Sequence, residues 1–372
     1  MGVWKFTFGN AGAPDGKPPA VSRFRVVAVD DSAVLRRLLV ETLESDPEVS
    51  VVVAPDGETG LSLVVSQKPD VVILDIEMPR MNGLELLKNL RRLFPRLPIV
   101  MYSHLTERGS RSTLEALCLG ATDYVPKPPE GNGLDDARRH IRTVLLPRLK
   151  ALHEEENRRL REAIVSRAPR PARPRGVARA SPLLLAIGAS TGGPNALVRL
   201  LSGLGSDFLL PAVIAQHMPP LFTALLAERL TRETPVAVRE GESRAPLRPG
   251  QAWLAPGDRH LVVQRTTEGL RVDLSDAPPV NSCRPSVDVL FKSVADAAGE
   301  RAIVVVLTGM GHDGLEGVRA LRERGAVILV QDEPSSVVWG MPGAVAQSGL
   351  ADAVLSLDAL AAEVRRRAGG PA

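Results

Sequence analysis

Short runs of consecutive aliphatic residues, each breaking at a polar side chain, recur along this chain and restrict its fold more than any other feature. In the first part they are Arg25–Val29 ahead of Asp30-Asp31, Ser50–Ala54, Asp70–Leu74 ahead of Asp75, Leu97–Tyr102 ahead of Ser103, and Asp123–Pro128, which carries Lys127. Apolar runs this short and this continuous are strands buried on both faces. Helical periodicity over Ala33–Glu44, Gly83–Leu93 and Leu114–Leu119 falls between them. Five such units predict a doubly wound parallel sheet. The pattern then repeats. Leu183–Ile187 runs into GASTGG, Pro211–Gln216 into His217, and Ala302–Leu307 into TGMGHDG. Helices are expected over Leu197–Gly203, Phe222–Thr231, Asp288–Ala298 and Leu315–Arg324. Ala326–Val330 and Val337-Val338 are further strand candidates. Trp253–Asp258, with Leu261–Val263 and Leu270–Val272, reads as a hairpin insertion. The expected fold is α/β, with two doubly wound domains: a flavodoxin-like N-terminal one and a C-terminal parallel-sheet one.

At 372 residues the chain exceeds one ordinary domain. Aromatics are only 3% of it, so Leu, Val, Ala and Ile must fill the core. The boundaries expected are a loose tail over 1–23, a domain over 24–145, an Arg/Pro-rich linker over 146–181, a second domain over 182–365 and a tail over 366–372. The Arg-rich linker could bind an anionic surface, but its spaced prolines suit a solvated connector. Net charge is +3, with little aromatic interleaving, which argues against nucleic acid. Cys118 and Cys283 form neither a disulfide framework nor a metal-spaced cluster. No apolar run approaches a membrane span, and the N-terminal stretch lacks the apolar core of a signal peptide. A reducing cytoplasm is the expected location, without membrane insertion.

In a doubly wound sheet, chemistry collects at the carboxyl ends of the strands. Asp30, Asp31, Asp75, Ser103 and Lys127 should therefore converge. Clustered carboxylates call for a hard divalent cation such as Mg²⁺, and a carboxylate beside it can accept a phosphoryl group. Lys127 and the Ser103 hydroxyl would then meet the phosphoryl oxygens. Taken singly, a strand-end Asp could equally cap the next helix. VDDSAVLRRLL, VVILDIEMPRMNGLELL, MYSHLT and GATDYVPKP closely resemble the receiver domain of bacterial two-component response regulators over roughly 24–145. The resemblance implies that Asp75 is the phosphoacceptor, that Asp30 and Asp31 hold Mg²⁺ with the Glu77 backbone carbonyl, and that Ser103 and Lys127 are the switch residues.

The second half ends three strands in Ser190, His217 and Asp313, the set a serine hydrolase needs: nucleophile, base and orienting acid. Each has an ordinary reading as a cap or a structural histidine, and His260 and His312 compete for the base role. GASTG matches the G-x-S-x-G elbow, yet the chain order Ser, His, Asp differs from that fold's Ser, acid, His. AIGASTGGP, AQHMPPLFTALLAERL, WLAPGDRHL, PPVN with RPSVDVLF, LTGMGHDG and VVWGMPGA resemble the catalytic domain of chemotaxis protein-glutamate methylesterases of the CheB type, over roughly 182–365, with Cys283 in NSCRPSVD a departure beside the motif. That resemblance implies phosphorylation-activated hydrolysis of glutamate γ-methyl esters on chemoreceptors, and often deamidation of receptor glutamines. It carries catalytic roles onto Ser190, His217 and Asp313 and site-lining roles onto Thr191 and Met310. It also implies methylated chemoreceptors as substrate, a CheA-type histidine kinase as phosphodonor, Mg²⁺ in the receiver and no cofactor for the hydrolase. The alternatives are a phosphorylation-gated receptor-binding protein, the same esterase in a non-motility pathway, and a DNA-binding regulator, for which no helix-turn-helix pattern follows the receiver.

Overall fold

A computed structural model describes residues 24–104, 106–128, 133–164 and 181–369. The N-terminal unit alternates β1 (Phe24–Val29), α1 (Ala33–Leu43), β2 (Val49–Ala54), α2 (Gly57–Gln67), β3 (Val71–Leu74), α3 (Gly83–Leu93), β4 (Ile99–Ser103), α4 (Glu107–Cys118) and β5 (Asp123–Pro126). Its five strands pair in parallel in the order β2-β1-β3-β4-β5. Caps fix where the helices begin: α3 opens with a capping box between Asn82 and Glu85, and Ser32 Oγ accepts the Leu35 N–H at the start of α1. The four residues of β3 are all buried, as their unbroken apolar run requires.

After β5, α5 (Leu134–His140) passes through a π-helical turn over Ile141–Leu145 into α6 (Leu146–Ile164). The stretch read as linker from residue 146 thus begins as a helix. Its apolar residues explain why: Leu149 and Leu152 are buried, and His153 stacks on Phe24 at 4.3 Å. The helix also reaches the second unit. The Trp339 N–H donates to Glu155 Oε2 at 3.3 Å, the Arg158 guanidinium lies 5.4 Å from the Trp339 ring, and Arg158 pairs with Glu333. The N-terminal tail and the Pro-rich part of the linker lie outside the described residues.

The C-terminal unit contains β6 (Leu184–Ala189), α7 (Gly193–Leu204), β7 (Ala212–Gln216), α8 (Phe222–Glu233), β8 (Ala237–Glu240), β9 (Gln251–Leu254), β10 (His260–Thr266), β11 (Gly269–Ser275), α9 (Val287–Ala297), β12 (Ala302–Val306), α10 (Leu315–Glu323), β13 (Val327–Gln331), α11 (Met341–Gln347), β14 (Ala353–Leu355) and α12 (Leu357–Arg367). Seven strands pair in parallel in the order β14-β13-β12-β6-β7-β9-β8. Trp253-Leu254 therefore belongs to the main sheet, and only β10 and β11 make the antiparallel hairpin. Val337-Val338 is not a strand. That segment instead ties Gly309 to Trp339 by an isolated bridge. Among the described residues no helix is long and apolar enough to cross a membrane.

Strand order reverses between β1 and β3 in the first sheet and between β12 and β6 in the second. Such switch points leave a crevice at the carboxyl edge. Asp30 and Asp75 follow β1 and β3, and Ser190 follows β6 while the turn carrying Asp313 follows β12. Each candidate site sits where its own sheet opens.

Candidate active site

In the first unit, Lys127 Nζ lies 2.7 Å from Asp30 Oδ2 and 2.7 Å from Asp75 Oδ2. The ligand oxygens of Asp30, Asp31 and Asp75 all lie within 4.8 Å of one another, at a cleft also lined by Glu77 and Ser103. Burial pushes the Asp75 carboxyl above its ordinary value and Asp30 adds to this, against the pull of Lys127. For Lys127 burial opposes the charge, but the two carboxylates outweigh it and raise its pKa. The donor set is three carboxylates, all oxygen, which fits a hard cation. Ser103 Oγ is bonded to Thr113 Oγ1 of α4 at 2.8 Å, so Ser103 is engaged with the helix behind it.

In the second unit the strand register sets Ser190 and His217 at adjacent strand ends, and the turn after β12 brings Asp313 to His217. Ala189 pairs with Gln216, placing Ser190 and His217 one residue past adjacent strands. The Ser190 N–H donates to Thr308 O at 3.0 Å, tying the serine turn to the end of β12. Glycine is required on this turn: Gly192 has φ +76°, and a Cβ on Gly309 would sit 2.8 Å from the Ser190 Cβ. His217 Nε2 bonds Asp313 Oδ2 at 2.8 Å. The other nitrogen, Nδ1, faces Cys283 Sγ at 3.6 Å. Nδ1 is thus the ring nitrogen that Asp313 leaves open, and the Cys283 thiol faces it.

Sequence reasoning missed the frame that holds Asp313. Its Oδ1 accepts from Asn281 Nδ2 at 2.9 Å and Ser286 Oγ at 2.8 Å, and its Oδ2 accepts the Val287 N–H at 2.6 Å. Burial works against the charge, yet these donors and His217 hold Asp313 well below the carboxylate range. Burial likewise opposes a charged imidazole. The Asp313 hydrogen bond and the Cys283 sulfur override it and raise His217 to about 9. One signal was available: Asn281-Ser282, both at positive φ, is a turn dipeptide just ahead of the Ser286 cap of α9. The competing histidines separate cleanly. His260 is fully buried, accepting the Ser286 N–H at 3.1 Å and touching Pro278 O, whereas His312 is exposed.

The N-terminal unit packs over this turn. Thr191 Oγ1 donates to Asp123 Oδ2 at 3.0 Å, and Asn195 Nδ2 donates to Leu117 O at 2.9 Å. Tyr124 stacks on Phe222 with ring centroids 4.6 Å apart. Arg148 Nη1 braces the same Asp123 oxygen at 3.0 Å. Met310, Val337 and Val338 join the apolar cluster built from Leu145, Leu149 and Leu152.

The family model described as "CheB methylesterase" matches residues 185–364, and "Response regulator receiver domain" matches residues 26–138. A protein-glutamate methylesterase/protein-glutamine glutaminase of Trichodesmium erythraeum is 43% identical over 355 residues, covering 93% of this chain and 99% of the relative. One from Nocardioides sp. is 47% identical, covering 92% and 95%. The crystal structure of the Thermotoga maritima CheB methylesterase catalytic domain is 35% identical, covers 50% of this chain and 99% of that one, and has a TM-score of 0.49. The relatives match over nearly the whole chain, the two family models cover its receiver unit and its parallel-sheet C-terminal unit, and the chain belongs to the CheB methylesterase family of enzymes.

Proposed function

We propose that this chain is a serine hydrolase that demethylates glutamate γ-methyl esters, and deamidates glutamines, on chemoreceptors, with its rate set by phosphorylation of Asp75. The observation that carries the chemistry is the His217–Asp313 bond beside the Ser190 turn. In the productive arrangement His217 Nδ1 takes the Ser190 proton as Oγ attacks the ester carbonyl. Asp313 holds the imidazole by Nε2 and stabilises its charge without taking the proton. The protonated ring then returns a proton to the departing methoxide, and water, activated by the same nitrogen, releases the glutamate. Thr191 and the turn at Met310 line the site where the oxyanion develops.

Regulation rests on what covers Thr191. The Asp123, Tyr124 and Leu117 contacts describe a closed form in which the receiver blocks the substrate's approach to Ser190. Asp30, Asp31, Asp75 and the Glu77 carbonyl would hold Mg²⁺, which when bound neutralises phosphoryl charge. Asp75 accepts the phosphoryl group from a CheA-type histidine kinase, and Lys127 leaves its carboxylate contacts for the new oxygens. Ser103 turns from Thr113 toward the phosphoryl group, which moves α4 and with it the Leu117 contact, and the population shifts to an open form. The test is methanol release from methylated receptors. Ser190→Ala should stay folded and lose hydrolysis by several orders of magnitude, and near-normal release by that variant rejects the assignment.

A further inference from the structure

The catalytic reading above leaves Cys283 without a task. Its sulfur lies half-buried, 3.6 Å from His217 Nδ1 and 3.4 Å from Asn281 O. A contact of 3.6 Å suits a thiol–imidazole hydrogen bond. The same span also suits two ligands of one metal ion. Zinc bonds thiolate sulfur at about 2.3 Å and imidazole nitrogen at about 2.0–2.1 Å, and a tetrahedral angle between those bonds puts sulfur and nitrogen roughly 3.6 Å apart. The observed separation matches that span.

The surroundings also match. The ligand atoms of His217, Cys283 and Asp313 all lie within 4.8 Å of one another. Asp313 is saturated by Asn281, Ser286, Val287 and His217, so it does not serve as a direct ligand. It instead bonds the imidazole nitrogen opposite the one facing the sulfur, and zinc-binding histidines carry such a carboxylate on their far nitrogen. Arg148, which interacts with Cys283 electrostatically, is already paired with Asp123. A sulfur and a nitrogen donor together select a soft or borderline cation over Mg²⁺.

We propose that Cys283 Sγ and His217 Nδ1 form a binding site for a zinc-class divalent cation, closing the catalytic imidazole to Ser190 when filled. Two protein ligands leave the remaining positions to water, so the site is reversible and inhibitory and does not support folding. The inhibitory half rests on His217 being the base, whereas binding itself does not.

The experiment uses the full-length protein and two readouts. Titration with Co²⁺ should develop the near-ultraviolet sulfur-to-cobalt band in wild type and in Cys118→Ala, and lose it in Cys283→Ala. Zn²⁺ should inhibit methanol release by wild type, with at least a tenfold weaker effect on Cys283→Ala relative to that variant's own metal-free rate. The absence of the band in wild type, its persistence in Cys283→Ala, its loss in Cys118→Ala, or zinc inhibition that is present and equally strong in wild type and Cys283→Ala overturns the proposal. A Cys283-dependent band with hydrolysis intact under saturating zinc upholds the site and overturns His217 as the base.

Discussion

Asp123→Ala gives the sharpest test of the receiver as a cover. Asp123 Oδ2 accepts two hydrogen bonds, from Arg148 within its own domain and from Thr191 of the catalytic turn, each at 3.0 Å. Only the second crosses between domains. A hydrogen bond to a charged acceptor contributes about 1.5–3 kcal/mol. At about 1.4 kcal/mol per decade its loss shifts the closed-to-open ratio roughly 10- to 150-fold. The Tyr124–Phe222 stack and the Asn195–Leu117 bond remain, so closure is weakened and not abolished. Hydrolysis by the unphosphorylated full-length variant should therefore rise by about tenfold or more. Its ceiling is the rate wild type reaches with a small phosphodonor, and the stimulation still available from the donor should shrink by the same factor. Methanol release with and without donor measures both numbers. Tyr124→Leu, which cuts a different contact across the same face, should move them in the same direction. Wild-type basal rates in both variants, with undiminished stimulation, would refute the cover.

Asp75→Ala should keep its basal hydrolysis and lose its response to phosphodonor, and a retained response would move the phosphoacceptor elsewhere. The raised His217 pKa sets a pH dependence with a definite sign. A base must be neutral, so unphosphorylated activity should climb through a limb near pH 9, above the ordinary histidine value of about 6.5. Because the folded pKa lies above the unfolded one, the His217–Asp313 pair's contribution to stability is complete below about pH 6.5 and is lost as pH passes about 9. Activity and melting temperature measured over pH 6–10 check both trends, and a limb at or below pH 6.5 contradicts them.

What the sequence made legible was whatever local composition determines. Asp30, Asp75, Ser190 and His217 were readable because each ends an apolar run, and strand ends in a parallel sheet converge whatever the loops do. α4 was read short because Glu107–Ser112 has no apolar periodicity. Its start is fixed by Thr106 Oγ1 accepting the Gly109 N–H at 2.9 Å. β8 was missed because AVRE alternates like a surface segment, its burial decided by pairing with β9. The brace on Asp313 was illegible for another reason. Asn281 and Ser286 stand 32 and 27 positions from it, and only the packing of α9 against α10 brings them there. The contacts of Arg148 with Asp123 and of Glu155 with Trp339 depend equally on tertiary placement, across residues whose local sequence spells only a polar helix.

The helix that continues α5 into α6 changes the problem the receiver faces on opening. Sixteen residues separate Ile164 from Ser181. Whatever path they take, covalent geometry limits their span to about 60 Å. A receiver released from the catalytic turn stays within that radius of it, which corresponds to a local concentration on the order of a millimolar. Closure is then a unimolecular event, independent of how much protein is present. The Thr191–Asp123 bond, the Tyr124–Phe222 stack, the Asn195–Leu117 bond and the contacts of α6 with Trp339 and Glu333 then act together at that concentration, and a phosphoryl group on Asp75 need only outweigh their sum for the turn to open.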